Sequence, residues 1–342
     1  MKQDIKSFDQ KELEEFFVSL GEKPFRARQV YQWMHVKQAA SFAEMTNISK
    51  ALQEKLREAC ELTVLRQELV QHSQLDGTAK YLFALADGNM IESVRMKYKH
   101  GNSVCISSQA GCGMGCRFCA SALGGLVRSL TPAEMLDQIY RIQADIGERV
   151  SHVVVMGTGE PLDNYDNLLK FLELLTDEHG LHISQRNITV STCGIVPNMR
   201  RLAEQKLQIT LAVSLHASSQ QKRLELMPVA NKYEIHELLA ACKEYFAKTG
   251  RRITFEYSLV GGVNDKTEDA VQLAALIKNM NCHVNLIPVN PIEERDYVQS
   301  GKRAVTEFKE QLEKYGITVT VRREMGRDID GACGQLRRRQ IL

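Results

Sequence analysis

No stretch of the 342 residues stays apolar for the length of a membrane span. The N-terminal run MKQDIKSFDQKELEEFF is charged and amphipathic and lacks the apolar core of a signal peptide. These two absences predict a cytoplasmic protein with no membrane partner. There is no low-complexity tract and no short tandem repeat. The net charge is only +2, so charge as a whole does not mark a nucleic-acid binder. A Rossmann fingerprint is missing too: MGTGEP has two glycines but no third at the required offset. Cysteine is scarce, nine in the whole chain, and in a reducing compartment clustered thiols point to metal ligands or catalysts before structural disulfides.

What is present fits one large domain, or one domain with an appendage. Apolar residues make up 44% and charged residues 25%, ordinary for a globular protein. A chain this long buries most of its apolar surface without disulfides. Over the first 60 residues, DQKELEEFFVSLG and RARQVYQWMHVKQ carry apolar residues at helical spacing, with Gly21 and Pro24 between them. From Leu62 to Tyr98 the pattern turns β-rich, and AKYLFALADGNMIESVRMKY alternates around Asp87-Gly88 as a hairpin would.

From Ser103 onward short β-rich runs (SVCISSQ, HVVVMG, NITVST, QITLAVSLH, RITFEYSLV, CHVNLIPVN, ITVTVRRE) are separated by helical stretches such as TPAEMLDQIYRIQADIG and YEIHELLAACKEYFAKTG. Strand–helix alternation predicts a mainly parallel sheet, doubly wound or barrel-like. Glycine-rich or polar material recurs at strand ends: the cysteine-bearing loop, GTGEP, STCG, SLH and PVNP. That recurrence favours a barrel or partial barrel, in which function gathers at the C-terminal ends of the strands.

Three of the nine cysteines fall within GCGMGCRFCASALGG, as Cys112, Cys116 and Cys119. A closed structural zinc site wants four nitrogen or sulfur ligands, and no histidine lies nearby to make up the set. An iron–sulfur cubane held by three cysteines leaves one iron open to a substrate. Gly111, Gly113 and Gly115 suit a loop that wraps an anionic group with backbone N–H donors, and Phe118 would shield it. Zinc stays open at this point, with the iron–sulfur cluster favoured.

C-x-x-x-C-x-aromatic-C at the end of the first strand of such a barrel resembles the radical S-adenosylmethionine (SAM) superfamily. The longer motifs CISSQAGCGMGCRFCA, MGTGEPLDNYDN, STCG, SLHA, LMP, PVNP and DIDGACGQL resemble, in that order, the RlmN/Cfr family of RNA adenine methyltransferases. The resemblance implies an α/β fold: a partial (β/α) TIM-type radical SAM barrel with a small N-terminal helical accessory domain and a C-terminal extension. It divides the chain into 1–60, a helical RNA-binding domain; 61–98, a β-rich connection; 99–320, the barrel; and 321–342, a catalytic C-terminal segment with a basic tail. Thr158 stands where methionine is common in the family.

The same resemblance implies a 4Fe-4S cluster on Cys112, Cys116 and Cys119 and two SAM molecules per turnover. It implies methylation of C2 of an adenine in the peptidyl transferase loop of 23S rRNA and in tRNA anticodon loops; Cfr-type methylation of C8 is the alternative. Cys333 would carry the methyl group, Cys105 would resolve the protein–RNA adduct with a disulfide as by-product, and Glu92 would accept a proton. By position alone Cys105 fits a strand-interior core thiol equally well, and Glu92 a solvated strand residue. Gly159 and Glu160 match the loop that takes the methionyl amino group. Ser191 and the stretch Ser214, Leu215 and His216 match ribose and carboxylate contacts, and Asn290 an adenine or ribose contact. Taken singly, Ser191 would be a strand-end cap, His216 a core histidine and Asn290 a turn residue.

Expected partners are 23S rRNA before full ribosome assembly, tRNA, and an electron donor such as flavodoxin or ferredoxin, with the enzyme a monomer. Local basic charge agrees with RNA. Residues 321–342 hold six arginines against three acidic residues, ending in LRRRQ. KPFRARQVYQWMH sets Lys23, Arg26 and Arg28 beside Tyr31 and Trp33, a mixture suited to phosphate contact and base stacking. Cys60, Cys193, Cys242 and Cys282 receive no role.

Overall fold

The computed structural model describes residues 2–292, 294–329 and Leu336. Cys333 and Arg337, Arg338 and Arg339 of the basic tail lie outside the described residues. No helix is long and apolar enough to cross a membrane among those described.

The first third starts helical because its caps are written locally. Helix α1 (Gln10–Ser19) opens on a capping box, in which Asp9 accepts from the Glu12 N–H and Glu12 accepts from the Asp9 N–H, both at 2.9 Å. Helix α2 (Pro24–His35) begins on proline, whose missing N–H costs nothing there. Helix α3 (Lys50–Ala59) is capped by Ser49.

Strands β1 (Arg66–His72), β2 (Ala79–Ala84), β3 (Met90–Tyr98) and β4 (Gly101–Ile106) then pair antiparallel in succession. The β2–β3 turn is the one expected at Asp87-Gly88, with Gly88 at φ +83°. After β4 the chain alternates. Helix α4 (Pro132–Ile146), β5 (Val150–Val155), α5 (Tyr165–Thr176), β6 (Ile188–Thr192), α6 (Val196–Glu204) and β7 (Thr210–Ser214) follow one another. Then come α7 (Gln220–Leu226), α8 (Ile235–Thr249), β8 (Ile253–Leu259), α9 (Thr267–Ile277), β9 (Cys282–Pro288), α10 (Lys302–Lys314) and β10 (Thr318–Val321).

These ten strands form one sheet whose spatial order is the chain order, β1 through β10, and β4 to β10 run parallel. A doubly wound sheet would reverse direction partway through. This one steps always the same way, as a barrel does, but β1 and β10 do not pair, so the barrel is partial.

The two faces separate by residue parity. Val104, Ile106, Val153, Val155, Val190, Val213, Phe255 and Val284 join the helices in the main core. Their alternates point inward, where Cys105 packs with Val94, Met96, Val154 and Met156 in a separate small cluster.

The N-terminal helices share the main core with the barrel: Leu13, Phe17, Val30 and Met34 belong to it. Polar contacts fix the docking. Lys6 and Asp137 of α4 form a fully buried ion pair at 2.7 Å, and Lys6 also donates to the Thr63 carbonyl. His35 Nδ1 lies 2.7 Å from the Tyr140 hydroxyl. One expectation fails here. Tyr31 is buried and its hydroxyl donates to Asp177 at 2.6 Å, so it cannot stack on a base. Helical spacing showed that α2 has an apolar face but not that Tyr31 belongs to it.

Candidate active site

The cysteine loop grows from a two-stranded ribbon in which Gln109–Gly111 pairs antiparallel with Leu126–Ser129. Gly111 makes the ribbon possible: its φ is +82°, and a Cβ there would stand 2.1 Å from the Gly125 carbonyl oxygen. The loop is pinned at three points, by the Cys112 N–H on Gly125 O (2.9 Å), the Cys119 N–H on Cys116 O (3.2 Å) and the Arg117 N–H on Leu226 O (2.9 Å). Met114, Cys116 and Phe118 lie against buried Cys193, Leu226, Met227, Val260 and Val289. Phe118 meets His216 edge-on at 4.9 Å.

Burial pushes the Cys112 thiol up to about 12, and the neighbouring Cys119 and Glu160 add to it. Cys116 is raised by burial and then by Cys119 and Cys112. Left as thiols, Cys112 and Cys116 sit where neither ionises easily. A cationic iron centre relieves that by binding them as thiolates, and the donor set fits it. Among the described residues no three His, Cys, Asp or Glu side chains are drawn up around a point for one metal ion; the loop gathers the thiols without fixing them on such a centre.

Gly159 and Glu160 follow β5. Gly159 has φ +108° and a Cβ would fall 2.5 Å from Gln109 Cβ, so its backbone lies directly on the ribbon. Glu160 is buried, and its carboxylate accepts from the N–H groups of Leu162 (3.0 Å) and Cys193 (2.7 Å). Burial nevertheless raises its pKa above the usual carboxylate range. The Thr192 and Cys193 side chains also bond to the carboxylate and oppose that rise.

After β7 the chain bends at His216, a non-glycine residue at φ +54°. The N–H groups of Leu215 and His216 donate to the Glu256 carbonyl (3.1 and 3.2 Å). His216 Nδ1 accepts from the Ser258 N–H at 2.9 Å, which puts the proton of the neutral ring on Nε2. Burial, then Arg223, holds His216 down at about 3. Ser191 and Ser214 are half-buried and alternate with core residues, so they face inward. Asn290 is exposed just beyond β9, and no hydrogen bond joins it to the rest of the site among those described.

Glu92 and Cys105 occupy the same inner face of adjacent strands, since Cys105 pairs with Val94, two residues on from Glu92. Glu92 is buried rather than solvated, and Lys80 Nζ lies 3.0 Å from its carboxylate.

Sequence reasoning missed three residues. Arg223 is fully buried and donates to the carbonyls of Cys193 (2.7 Å) and Tyr233 (3.1 Å). Its helix, QQKRLEL, gives no hint of that. Cys193 packs against Cys116 and donates its N–H to Glu160. Lys80 looked like any polar member of an alternating strand.

Residues 3–62 match the ribosomal RNA large subunit methyltransferase N-terminal domain, and residues 106–274 the radical SAM superfamily. The chain is 67% identical over 338 residues to a probable dual-specificity RNA methyltransferase RlmN of Lachnospira eligens, covering 99% of this chain and 97% of that protein. It is 58% identical to the protein of the same description from Lachnoclostridium phytofermentans, over 98% of this chain and 95% of that one. Among solved structures, a radical SAM methyltransferase from Sphaerobacter thermophilus superposes with a TM-score of 0.94 at 40% identity, covering 97% of this chain and 98% of that one.

Proposed function

Because the chain belongs to the RlmN family of radical SAM RNA methyltransferases, we propose that it methylates C2 of an adenine in 23S rRNA and in tRNA through a methyl-cysteine intermediate. Cys112, Cys116 and Cys119 hold the 4Fe-4S cluster, and Gly159, Glu160, Ser191, Ser214, Leu215, His216 and Asn290 hold SAM. When bound, these groups supply a methyl group and a 5′-deoxyadenosyl radical, one SAM being used for each.

The protein's own residues do the rest. Cys333 sulfur takes the methyl group and, once a hydrogen has been removed from it, presents a carbon radical to the base. That carbon forms a bond to C2, which leaves the unpaired electron on the ring, and one electron then passes from the adduct to a one-electron acceptor of the flavodoxin or ferredoxin class. Glu92 takes the proton from C2. The Cys105 sulfur attacks the Cys333 sulfur, the bond from that sulfur to carbon breaks, the carbon keeps the bonding electron pair and takes up the proton released by the Cys105 thiol, the methylated base leaves, and a disulfide remains. Met114, Phe118 and the apolar side chains packed against them exclude water from the radical centre.

The observation that carries this reading is the inner face that Glu92 and Cys105 share. A carboxylate and a thiol share the inner face of neighbouring strands, away from the helix-packed core. RNA approaches with its target base splayed out of the stack. Basic–aromatic pairs on α2 and just after it suit that contact: Lys37 lies 3.7 Å over Trp33 and Arg26 4.8 Å from Phe25. We place the reaction on RNA before ribosome assembly is complete, with a flavodoxin or ferredoxin as reductant and the enzyme a monomer.

The test is anaerobic incubation with SAM, a reductant and protein-free 23S rRNA or tRNA, followed by nucleoside analysis. 2-Methyladenosine is expected. 8-Methyladenosine would make the enzyme Cfr-type, and no methylated adenosine would end the proposal.

A further inference from the structure

Beyond β10 the chain crosses to the far edge of the sheet, where two carboxylates hold it, one from each side. Asp76, in the turn after β1, accepts from the Gly326 N–H at 2.9 Å. Asp328 makes the return contact: it accepts from the Ser73 hydroxyl at 2.6 Å and the Gln74 N–H at 2.7 Å. Between them Gly326 passes so close to buried Thr78 that a Cβ would stand 3.2 Å from its methyl group.

Desolvation opposes ionisation of Asp76, but hydrogen bonds from Thr78, Gly326 and Ser73 hold its carboxyl at about 2. Asp328 is lowered by Ser73 and Gln74. Both are therefore anionic acceptors at neutral pH, and such charge-assisted bonds are the strong ones. The contacts span 250 to 255 positions of sequence and join the turn after the first strand of the sheet to the segment after the last. Leu336, further on, is buried. Cys333 thus falls five residues after one held point and three before another. Five extended residues reach about 17 Å.

We propose that Asp76 and Asp328 are positioning residues: they dock the C-terminal segment across the open seam of the barrel and so set where Cys333 can reach. The second half of that statement rests on Cys333 as methyl carrier; the docking does not.

The test uses the full-length, cluster-loaded enzyme and the variants Asp76→Ala, Asp328→Ala and Asp328→Asn. Limited trypsin digestion reads docking through cleavage after Arg327, which lies between the two contacts. Steady-state kinetics with RNA, and mass spectrometry of Cys333, read positioning. Each alanine variant should be cut after Arg327 about tenfold faster, the scale set by losing a charged hydrogen bond. Cleavage elsewhere, melting temperature and iron content should hold. The kcat should fall by about the same factor with the RNA KM unchanged. Asp328→Asn, which keeps one acceptor oxygen, should fall between alanine and the parent. Unchanged cleavage after Arg327 would overturn the docking, as would faster cleavage at every site. Faster cleavage there with an unaltered kcat would overturn the positioning role. An active parent enzyme with no methyl on Cys333, but with the expected digestion pattern, would remove the carrier and leave the docking standing.

Discussion

Lys80 and Glu92 meet on neighbouring strands, ammonium to carboxylate at 3.0 Å, with both side chains closed off from solvent. A buried pair of this kind is costly to break from one side, because the survivor keeps a buried charge and loses its counter-ion. Lys80→Met should therefore destabilise the fold by about 3 kcal/mol, measured by urea unfolding. A variant as stable as the parent would show that Glu92 has another means of holding its charge. In Lys80→Met/Glu92→Gln most of the loss should return, while RNA methylation stays absent for want of the carboxylate.

The cysteine loop predicts a visible property. Cys112→Ala, Cys116→Ala and Cys119→Ala should each abolish the brown colour of anaerobically purified protein and all RNA methylation. Cooperative unfolding should survive, because the main core runs through strands and helices well outside the loop. Iron analysis together with circular dichroism separates the two effects. A colourless but active variant would remove that cysteine from the ligand set.

Cys105 offers the sharpest discrimination. As a resolving thiol, its loss should leave the methyl group on Cys333 and the addition to the base intact, and block release. Cys105→Ala expressed in cells should then run on denaturing gels as a slow band that ribonuclease collapses, and Cys105→Ala/Cys333→Ala should not. As an inner-face packing residue beside Val94 and Met96, it would cost only some stability. A folded, cluster-loaded Cys105→Ala protein without the slow band decides for packing.

Acid should loosen the N-terminal docking through His35. Burial, then Lys6, holds its pKa down at about 3 against 6.5 for an ordinary histidine. The folded state keeps the ring neutral while the unfolded state takes up a proton below about 6.5. The contribution is complete above 6.5 and declines as pH falls towards 3, by about 2 kcal/mol at pH 5. Unfolding free energies measured from pH 7 to 5 should show this slope, and His35→Gln should flatten it. An identical slope in the variant would assign it to other groups.

The candidate site was legible in the sequence where its residues lie close together in the chain. Cys112, Cys116 and Cys119 lie within eight positions, and Gly111 beside them is the glycine that a close backbone approach demands. Strand-end loops were legible for the same reason, and the chain-order sheet follows from steady strand–helix alternation. What could not be read depends on pairing at a distance. Lys80 becomes a partner only when β2 lies against β3. Arg223 becomes a buried donor only when its helix covers the loop after β6. Asp328 means nothing until Ser73, 255 positions earlier, arrives beside it. Tyr31 was misread because spacing gives a helix its apolar face without saying where that face ends.

The sheet's spatial order has a consequence for how the protein is made. Each strand from β2 onward pairs first with the strand synthesised just before it. The ladder can therefore lengthen in step with translation, with no early strand left waiting for a late one. The clasp of Asp76 and Asp328 is the exception. Its halves are translated at opposite ends of that process, so the seam closes only after the tenth strand is in place. Until then the first hairpin waits with Asp76 unclaimed by Gly326, and a nascent chain could hold every residue of the cysteine loop in its fold while the segment carrying Cys333 was still undocked.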